Sequence, residues 1–551
     1  MVMKPIRSMV LVASQQNSLE PEALRVFQKF EEELKRLKLD DAVALSTISD
    51  IAPRSAAPLV IIYPEAAVYS PVSPEDVPYL VEEHLQHGRI ATRLQVNAQE
   101  SDGQLGWLAA RKGALPAEQR IVLRRVGLID PMSIEDYILH DGYEALAQAL
   151  KQENPAALVN EIQTSGLRGR GGAGFPTGLK WQYVKGVADA GQKYVICNAD
   201  ESEPGTFKDR TILEGDPHSI LEGVAIAGYA VGASKGYIYV RGEYGLAQER
   251  LRNAIHQAEQ RGFLGDNILG TDFNFHVELH SGAGAYICGE ETALIESIEG
   301  KRGEPRSRPP FPITKGLWGK PTLVNNVETL ANVAPIIRNG ALWYRKFGTA
   351  NSTGTKIYTI LGNVNQAGCI EVPMGITLRE VIGIYAKGMR AQTTLKLAQT
   401  GGSGGSIIPA SLQDTPLDFD SFAANGVSLG SGALLICNEH TCIVDLAKTL
   451  ITFFKTESCG KCAPCRIGTR HMFNILERIS KGQAELTDIA RLEKLCHTIR
   501  KGSFCGLGQT TPTPILTALR HFADEFEAHV RDKHCPAAVC KNLLEYHAES
   551  V

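Results

Sequence analysis

GLRGRGGAGFPTGLKW, residues Gly166–Trp181, is the stretch that decides the fold, and it holds six glycines between Gly166 and Gly178. Glycine has no Cβ, so its backbone turns tightly and approaches a ligand closely. Backbone N–H groups in such a loop can surround a phosphate, especially where a helix begins just beyond it. The match of Gly169, Gly171 and Gly174 to Gly-x-Gly-x-x-Gly is equally typical of a bare surface turn. The residues downstream favour a ligand site.

The composition indicates a protein of several domains. The chain has 551 residues and a net charge of −4, which argues against a nucleic-acid role. No apolar run is long enough to span a bilayer and no secretory signal follows Met1, so we expect no direct membrane insertion. Nine of the twelve cysteines lie at or beyond Cys437, which indicates metal or iron–sulfur ligands and a reducing, cytoplasmic location.

The first hundred residues alternate between strand and helix patterns in the order β-α-β-β-β-α. Ser8–Ala13 is a short apolar strand, and Pro21–Leu37 is an amphipathic helix. Its predicted apolar stripe is Leu24, Phe27, Phe30, Leu34 and Leu37. Three further strands and a last helix capped by Ser73 complete the unit.

Two acidic segments follow the glycine-rich stretch. A predicted strand ending at Cys197 runs into NADESEPGTFKDR, residues 198–210, and α/β proteins place ligand groups directly after such strands. GAGAYICGEETAL, residues 282–294, repeats the arrangement with Tyr286 and the pair Glu290–Glu291 before a helix. One of these two glutamates could simply start that helix. RPPFP, residues 308–312, and PTLVNNVET, residues 321–329, form a third cluster.

Four cysteines near the end have the spacing of a [4Fe–4S] site. Cys459, Cys462 and Cys465 recur at three-residue steps, and Cys505 in SFCGLG supplies a fourth thiolate. Structural zinc, the alternative, more often uses two separated Cys-x-x-Cys pairs. Cys197, Cys288, Cys369, Cys437 and Cys496 have no partner spacing and are expected to be small buried apolar residues.

These motifs resemble the NADH-binding flavoprotein subunit of respiratory complex I and its relatives in NAD-linked soluble hydrogenases and formate dehydrogenases. The resemblance runs from about residue 120 to about residue 529. It implies a multidomain α/β protein with a Rossmann-like FMN and NADH domain, a β-grasp domain and a C-terminal helical bundle that binds [4Fe–4S].

The resemblance assigns individual residues to cofactors. It implies that FMN is held by Gly169, Gly171, Gly172, Lys180, Asn198, Asp200, Glu201, Tyr286, Asn325 and Asn326. It implies that NADH is held by Phe175, Tyr183 and Phe311 through ring stacking and by Glu203, Glu290 and Glu291. Acidic side chains favour ribose hydroxyls and repel a 2′-phosphate, so NAD is expected over NADP.

The N-terminal unit is similar to the thioredoxin-like ferredoxin that partners these flavoproteins. The four cysteines of that family fall here at Ala13, Ser18, Asp50 and Arg54, so no thiolate is left to bind a [2Fe–2S] cluster. Residues 1–98 are therefore expected to be a degenerate domain with a structural or docking role.

The tail CPAAVC, residues 535–540, resembles a zinc-binding tail of some soluble relatives. We expect Cys442, Cys535, Cys540 and one histidine to form a tetrahedral zinc site. His529 is preferred over His521 and His534, and two ordinary thiols near a chain end are the alternative.

The expected domains are a degenerate thioredoxin-like domain (1–98), a linker and lead-in segment (99–153), an FMN- and NADH-binding α/β domain (154–340), a β-grasp domain (341–430), a helical bundle (431–530) and a tail with zinc ligands (531–551). The resemblance implies an NADH dehydrogenase (diaphorase) subunit of a soluble hydrogenase, formate dehydrogenase or similar complex. Some complexes of this kind bifurcate electrons, and the resemblance includes them. Its partners would be a [2Fe–2S] thioredoxin-like ferredoxin subunit and a large iron–sulfur or catalytic subunit. Respiratory complex I is the alternative complex, and a non-catalytic assembly scaffold is the alternative class.

Overall fold

The computed structural model describes residues 8–14, 21–40, 42–49, 58–63, 67–95, 120–188 and 191–543. The chain forms two compact units, Met1–Glu118 with Leu123–Gly142, and Gln119–Val122 with Tyr143–Val551. Residues 99–119 of the predicted linker and lead-in segment, together with Ser18, Asp50 and Arg54, lie outside the described residues.

The first unit contains a four-stranded sheet in the order β2-β1-β3-β4. Its strands are β1 (Ser8–Ser14), β2 (Val43–Ser49), β3 (Leu59–Tyr63) and β4 (Ala67–Tyr69). β1 pairs with β2 in parallel and with β3 antiparallel. The helices of this unit are Pro21–Arg36, Val77–Leu80 continued by the π-helix Val81–Gln86, and Ile134–Leu139. The described elements follow the predicted order β-α-β-β-β-α.

The helix Pro21–Arg36 confirms the predicted stripe except at Leu24, since Phe30 and Leu34 are buried and Phe27 and Leu37 pack against the core. Ala23, Val26, Phe30 and Leu34 are buried, whereas Leu24 is 40% exposed. A spacing of three and four residues from Ala23 defines this face, and Leu24 lies one helical step away from it.

The second unit begins with a four-stranded parallel sheet. Its strands are β5 (Tyr194–Ala199), β6 (Lys235–Val240), β7 (His276–Ser281) and β8 (Thr322–Asn326), in the order β7-β6-β5-β8. The chain moves outward from β5 to β7 and then returns to the other side of β5. Parallel sheets bind ligands outside the carboxyl ends of the strands where the order reverses, which here is between β5 and β8.

A second, mixed sheet follows in the order β10-β9-β13-β11-β12. Its strands are β9 (Thr355–Gly362), β10 (Gly368–Pro373), β11 (Leu395–Thr400), β12 (Ile407–Pro409) and β13 (Ala433–Asn438). β13 pairs in parallel with β9 at the centre of the sheet. The sheet therefore includes residues beyond 430, where the sequence placed its end.

Helices cover the parallel sheet and form the end of the chain. The first group comprises Glu144–Lys151, Pro155–Ser165, Thr177–Lys185, Lys208–Gly215, Pro217–Val231, Gly245–Gln260, Glu291–Ile298, Pro312–Lys315, Val327–Ala331, Val333–Asn339, Ala341–Tyr344, and, beside the second sheet, Leu378–Glu380 and Phe419–Ala424. The C-terminal group comprises Ile443–Glu457, Ala463–Ser480, Leu486–Gly502, Gly506–Thr510, Thr513–His521 and Ala523–Arg531. No helix of the described residues is long and apolar enough to cross a bilayer.

Candidate functional site

The glycine-rich loop joins the helices Pro155–Ser165 and Thr177–Lys185. Gly166 ends the first helix in the left-handed conformation (φ 72°), and Gly169 N–H closes the loop by donating to Phe175 O at 2.8 Å. A Cβ on Gly171 would lie 3.1 Å from the Cβ of Asn326. This close approach holds the loop against the end of β8.

The side chain of Arg170 fixes the glycine-rich loop through buried hydrogen bonds. It is fully buried and donates to the carbonyl oxygens of Thr353 (2.7 Å) and Thr355 (3.1 Å). Its guanidinium is occupied by backbone acceptors, so this arginine fixes the loop rather than meeting a ligand.

A cavity of about 280 Å³ opens at the carboxyl ends of β5 and β8. Eight residues assigned to cofactors from the sequence line it: Gly171, Asn198, Asp200, Glu201, Glu203, Tyr286, Glu290 and Asn326. The remaining lining residues are Ser202, Thr206, Lys208, Asp209, Ile287, Gly289, Ser431, Gly506, Leu507 and Thr510. The structure thus brings together segments that are far apart in sequence.

Three buried carboxyl groups of the turn after β5 differ in how they are satisfied. Glu201 accepts the backbone N–H groups of Asp209 (2.8 Å) and Arg210 (2.9 Å), and burial followed by the charge of Asp209 raises its pKa to about 8. Glu203 accepts the hydroxyl of Tyr286 at 2.6 Å, and burial raises its pKa as well. These two carboxyl groups therefore stiffen the wall of the cavity.

Asp200 is the carboxyl group with spare hydrogen-bonding capacity. Its Oδ1 accepts the hydroxyl of Ser202 at 2.6 Å, whereas its buried Oδ2 has no hydrogen-bond partner among the described residues. Burial raises the pKa of Asp200 to about 6. A buried polar atom without a partner in a cavity wall is suited to meet a ligand.

Four residues assigned to FMN do not line this cavity. Gly169 and Gly172 belong to the loop above it, and Lys180 Nζ donates to Glu291 (2.8 Å) and to Val324 O (2.9 Å). Asn325 accepts the indole N–H of Trp181 at 2.9 Å. Neighbouring residues of a strand point to opposite faces, so Asn326 reaches the cavity and Asn325 does not.

Three aromatic rings assigned to NADH are unusually exposed. Phe175, Tyr183 and Phe311 are 46%, 47% and 49% exposed. The short helix Pro312–Lys315 that follows Phe311 packs against the helix Thr177–Lys185 that carries Tyr183. Each of these rings has an exposed surface on which a planar group can stack.

Glu290 and Glu291 are tied together by one arginine. Arg308 pairs with Glu290 and, at 3.1 Å, with Glu291. Glu290 also accepts the N–H groups of Thr292 (3.0 Å) and Ala293 (2.9 Å), so it does cap the helix Glu291–Ile298 while it lines the cavity. Burial would raise the pKa of Glu291, but Lys180 and then Arg308 reverse this and lower it.

A buried charge network under the cavity was missed by the sequence analysis. Lys208 Nζ lies 2.7 Å from Asp209 and 3.0 Å from Glu328, and Lys356 Nζ lies 3.6 Å from Glu328. Asn326 donates to Asp209 at 2.6 Å, which fixes its amide at the cavity wall. The signal was Lys208, which with Arg210 is one of two cations in the acidic segment 198–210, because a cation that is buried there needs a buried partner.

The run Gly401–Gly405 follows β11 and lies against the cavity wall. A Cβ on Gly402 would lie 1.9 Å from Cγ of Glu203, and Ser403 N–H donates to the carboxylate of Glu203. The run is therefore a turn beside the cavity.

The four cysteines assigned to [4Fe–4S] line one small cavity with Ser458, Lys461 and Phe504. Cys462 and Cys465 lie at the start of the helix Ala463–Ser480, and Cys505 directly precedes the helix Gly506–Thr510. Cys459 lies in the loop before them. Four thiols around one cavity are the ligand set that a cubane cluster requires.

Ile287 and Leu507 line both this cysteine cavity and the larger cavity. The two sites therefore share a wall of apolar side chains. Tyr286 N–H also donates to Glu457 at 3.2 Å, which links the cavity wall to the segment before Cys459.

The four residues expected to bind zinc also come together. Cys442, His529, Cys535 and Cys540 are buried, and their ligand atoms all lie within 4.8 Å of one another. Cys442 Sγ is 3.8 Å from Cys540 Sγ and 3.3 Å from His529 Nε2. The edge between two sulfurs of a tetrahedral zinc site with Zn–S bonds near 2.3 Å is about 3.8 Å, so these residues fit zinc. His521 and His534 are not in the group.

Of the five unassigned cysteines, Cys197, Cys288, Cys437 and Cys496 are buried, as predicted. Cys369 is half-buried.

Two family descriptions match parts of the chain. Residues 162–335 match the Nuo51 FMN-binding domain, and residues 445–529 match the NADH-ubiquinone oxidoreductase-F iron-sulfur binding region. These matches contain the cavity at the end of β5 and the cysteine cavity.

Similar proteins include components of two kinds of complex. The chain is 52% identical to HndC, a component of the NADP-reducing hydrogenase of Solidesulfovibrio fructosivorans, over 78% of this chain and 86% of that protein. It is 47% identical to the second F-type component of NADH-quinone oxidoreductase from Rhizobium meliloti over 76% of this chain and 99% of that protein. The crystal structure of an NAD+-reducing [NiFe]-hydrogenase in the H2-reduced state aligns with a TM-score of 0.66 and 29% identity, covering 100% of this chain and 89% of that one.

Proposed function

Because the chain belongs to the family of NADH-binding flavoproteins that includes HndC and the F-type component of NADH-quinone oxidoreductase, we propose that it is an NADH dehydrogenase subunit using FMN and a [4Fe–4S] cluster. The observation that carries this proposal is the wall of Ile287 and Leu507 between the two cavities. Cofactors bound on its two sides would be separated by little more than two side chains.

FMN fits the larger cavity. When bound, FMN accepts a hydride from NADH and lets the two electrons leave singly to an iron–sulfur cluster. The backbone at Gly169, Gly171 and Gly172 would approach the phosphate. Asn198, Asp200, Glu201, Tyr286 and Asn326 would contact FMN from the cavity wall, with the free Oδ2 of Asp200 as an acceptor. Lys180 and Asn325 would act indirectly. Lys180 would act through its ion pair with Glu291, and Asn325 through its hydrogen bond with Trp181.

NADH would lie outside the flavin with its rings on the exposed aromatic side chains. Phe175, Tyr183 and Phe311 would stack the coenzyme, and Glu203, Glu290 and Glu291 would face its hydroxyl and amide groups. Carboxylates repel a 2′-phosphate, so we propose NAD as the coenzyme, although HndC is named as part of an NADP-reducing hydrogenase. Arg308 pairs with both Glu290 and Glu291 and Lys180 pairs with Glu291, so these two cations offset part of that repulsion.

Cys459, Cys462, Cys465 and Cys505 would hold the [4Fe–4S] cluster, and Cys442, His529, Cys535 and Cys540 would hold a structural zinc ion. The distances among the second set support zinc. His529 Nδ1 bonds to Glu525 O at 2.7 Å, which leaves Nε2 for the metal.

We assign the chain to a soluble NAD-linked complex of the hydrogenase or formate dehydrogenase type, with respiratory complex I as the alternative. The alignment with an NAD+-reducing hydrogenase over 100% of this chain and the 52% identity to HndC, against 47% for the NADH-quinone oxidoreductase relative, support the first choice. The partners would then be a [2Fe–2S] subunit and a large catalytic subunit. In this assignment 1–98 is a cluster-free docking domain, 154–340 binds FMN and NADH, 341–438 is the β-grasp domain with β13 included, 439–530 binds the cluster and 531–551 completes the zinc site.

Purification with native partners tests the proposal. We expect one FMN and about four cluster irons in the chain once it is separated from these partners, together with dye reduction by NADH that exceeds the reduction by NADPH. Mass spectrometry of the co-purifying subunits then distinguishes a hydrogenase or formate dehydrogenase from complex I. A chain without flavin and without NADH-dependent dye reduction would instead be an assembly scaffold.

A further inference from the structure

Ser458 brings a hydroxyl group to the wall of the cysteine cavity. It directly precedes Cys459 in the sequence and lines the cavity together with the four cysteines. Its Oγ lies 3.3 Å from Sγ of Cys465, which is within hydrogen-bonding reach for sulfur. The ligand assignment gives this hydroxyl no role, although it touches one of the four ligand atoms.

The backbone around Ser458 fixes the position of its side chain. Ser458 directly follows the helix Ile443–Glu457, and its N–H donates to Phe454 O at 3.0 Å. The residue before it, Glu457, accepts the N–H of Tyr286 at 3.2 Å. These two bonds tie the end of the helix to the wall of the larger cavity. They limit how far the Cα of Ser458 can move relative to the cysteine cavity.

The other hydrogen bond of this hydroxyl indicates which atom donates to which. A hydroxyl group has one hydrogen to donate and two lone pairs that accept. Gly460 N–H donates to Ser458 Oγ at 3.4 Å, so one lone pair is occupied and the hydrogen is left for Cys465. A cysteine that ligates iron is a thiolate and has no hydrogen of its own. With a cluster on the cysteines, Ser458 therefore donates and Cys465 Sγ accepts.

Cys465 is the ligand at which such a bond has the largest effect. It is buried, whereas Cys459, Cys462 and Cys505 are half-buried. A hydrogen bond is electrostatically stronger in surroundings of low dielectric, where water competes less for the acceptor. A donor to a ligating sulfur stabilises the reduced cluster, which is the more negative form, more than the oxidised one. Hydrogen bonds to the sulfurs are among the factors that set cluster potentials.

We propose that Ser458 raises the reduction potential of the [4Fe–4S] cluster by donating its hydroxyl hydrogen to the thiolate of Cys465. This inference rests on the proposed function, since it requires the cluster on the four cysteines. Reduction adds one electron, which the flavin supplies, and the hydrogen stays on the oxygen of Ser458, so no bond forms or breaks. A higher cluster potential favours the departure of electrons from the reduced flavin.

Ser458→Val and Ser458→Thr test the proposal, because their side chains have the same shape and only the second keeps a hydroxyl. The full chain with its FMN and cluster is reduced stepwise with dithionite and redox mediators under anaerobic conditions, and EPR counts the reduced clusters. The comparison is made at the potential where half of the wild-type clusters are reduced. There the ratio of reduced to oxidised cluster should be about five-fold lower in Ser458→Val, and within about two-fold of the wild type in Ser458→Thr.

Thr469→Val is the matched control. Thr469 is fully buried on the helix that carries Cys465, one turn further along, and its hydroxyl donates to Cys465 O at 2.9 Å. The substitution removes a buried hydroxyl beside the same cysteine and leaves the sulfur untouched, so the cluster potential should equal that of the wild type. The FMN potential should be unchanged in every variant, since neither Ser458 nor Thr469 lines the larger cavity.

Ser458→Ala removes the hydroxyl without a branched side chain and repeats the test with the least disturbance of the loop. A wild-type cluster potential in Ser458→Ala with its cluster irons retained would overturn the proposal. An equal shift in Thr469→Val would also overturn it, because the loss of any buried hydroxyl would then explain the change. Loss of the cluster from Ser458→Ala would assign Ser458 a structural role instead. A wild-type chain that holds no cluster irons would refute the proposed function itself.

Discussion

At the scale of single residues, Asp200 shows how the cavity departs from an ordinary protein interior. Its backbone continues β5, and its carboxyl group is buried beside Glu201 and Glu203 with one oxygen unpaired. Burial of three carboxyl groups within four residues destabilises the empty fold unless some stay protonated. Burial is the first cause of the raised pKa of each of these three groups.

Asp200→Asn should change how stability depends on pH. The pKa of Asp200 is about 6 in the fold, against 3.8 for an ordinary aspartate. A carboxyl group whose pKa is raised by folding stabilises the fold fully below its unfolded pKa and loses this contribution as pH rises through its folded pKa. In the flavin-free chain, the free energy of unfolding of Asp200→Asn relative to wild type should rise by about 2 kcal/mol between pH 4 and pH 8.

Urea denaturation at pH 4, 6 and 8 measures this difference. Glu259→Gln removes an exposed carboxylate and is the control, which should show no such trend. An equal pH dependence in the two variants would mean that Asp200 is not strained by burial in the empty fold.

Local patterns in the sequence predicted the positions of the ligand groups but not their partners. Asn198, Asp200 and Tyr286 could be placed because each follows a predicted strand or a glycine-rich turn. Lys208 was missed because its partner Glu328 is distant in the chain and belongs to another element. Asn325 was assigned together with Asn326, since a single sequence does not show which face of β8 meets the cavity.

At the scale of elements, a group of four side chains suited to bind a metal ion links the last helix to the rest of the bundle. The helix Ala523–Arg531 carries His529, the helix Ile443–Glu457 begins at Cys442, and the tail supplies Cys535 and Cys540. The four ligand atoms lie within one buried core that also contains Cys496. A metal here would fix the tail to two helices.

Cys540→Ser should remove this metal. We expect zinc to fall from one ion per chain to near zero, while the four cluster irons remain, because the two cysteine sets do not overlap. Loss of a structural zinc also removes folding free energy, so the melting temperature should fall by several degrees. Elemental analysis and thermal unfolding measure both effects.

Cys496→Ser is the matched control, since Cys496 is a buried cysteine of the same core without a place in the group of four. It should keep its zinc even if packing suffers. Zinc retention in Cys540→Ser, or its absence from the wild type, would refute the zinc assignment.

The extent of the second sheet illustrates what element patterns leave open. β9 and β10 lie within the predicted β-grasp domain, residues 341–430. β13 comes after residue 430 and was counted with the helical bundle, yet it pairs in parallel with β9. Such long-range pairing depends on the completed sheet, and a local apolar run does not reveal it.

At the scale of the whole molecule, the arrangement of the second unit places its two cavities back to back. Ile287 comes from the segment after β7, and Leu507 comes from the helix after Cys505. The sequence predicted both cavities but not the wall between them, because nothing in either segment indicates that they meet. The shared wall joins two motifs that are separate in the sequence into one structural unit.

Leu507→Ala should therefore affect both sites at once. Leu507 is 7% exposed and lines both cavities, so shortening it opens a gap between them. We expect water and oxygen to reach the cluster more easily, and its visible absorption in air to decay at least several-fold faster than in the wild type. The flavin spectrum should shift in the same protein, since the same side chain borders the larger cavity.

Leu492→Ala is the control for lost packing. Leu492 is fully buried in the helical core and lines neither cavity, so its truncation should cost about 2–5 kcal/mol without accelerating cluster loss in the folded protein. If both variants lose the cluster at the same rate, general loosening of the bundle explains the effect. Faster loss in Leu507→Ala alone, accompanied by the flavin shift, shows that this leucine separates the two cofactors.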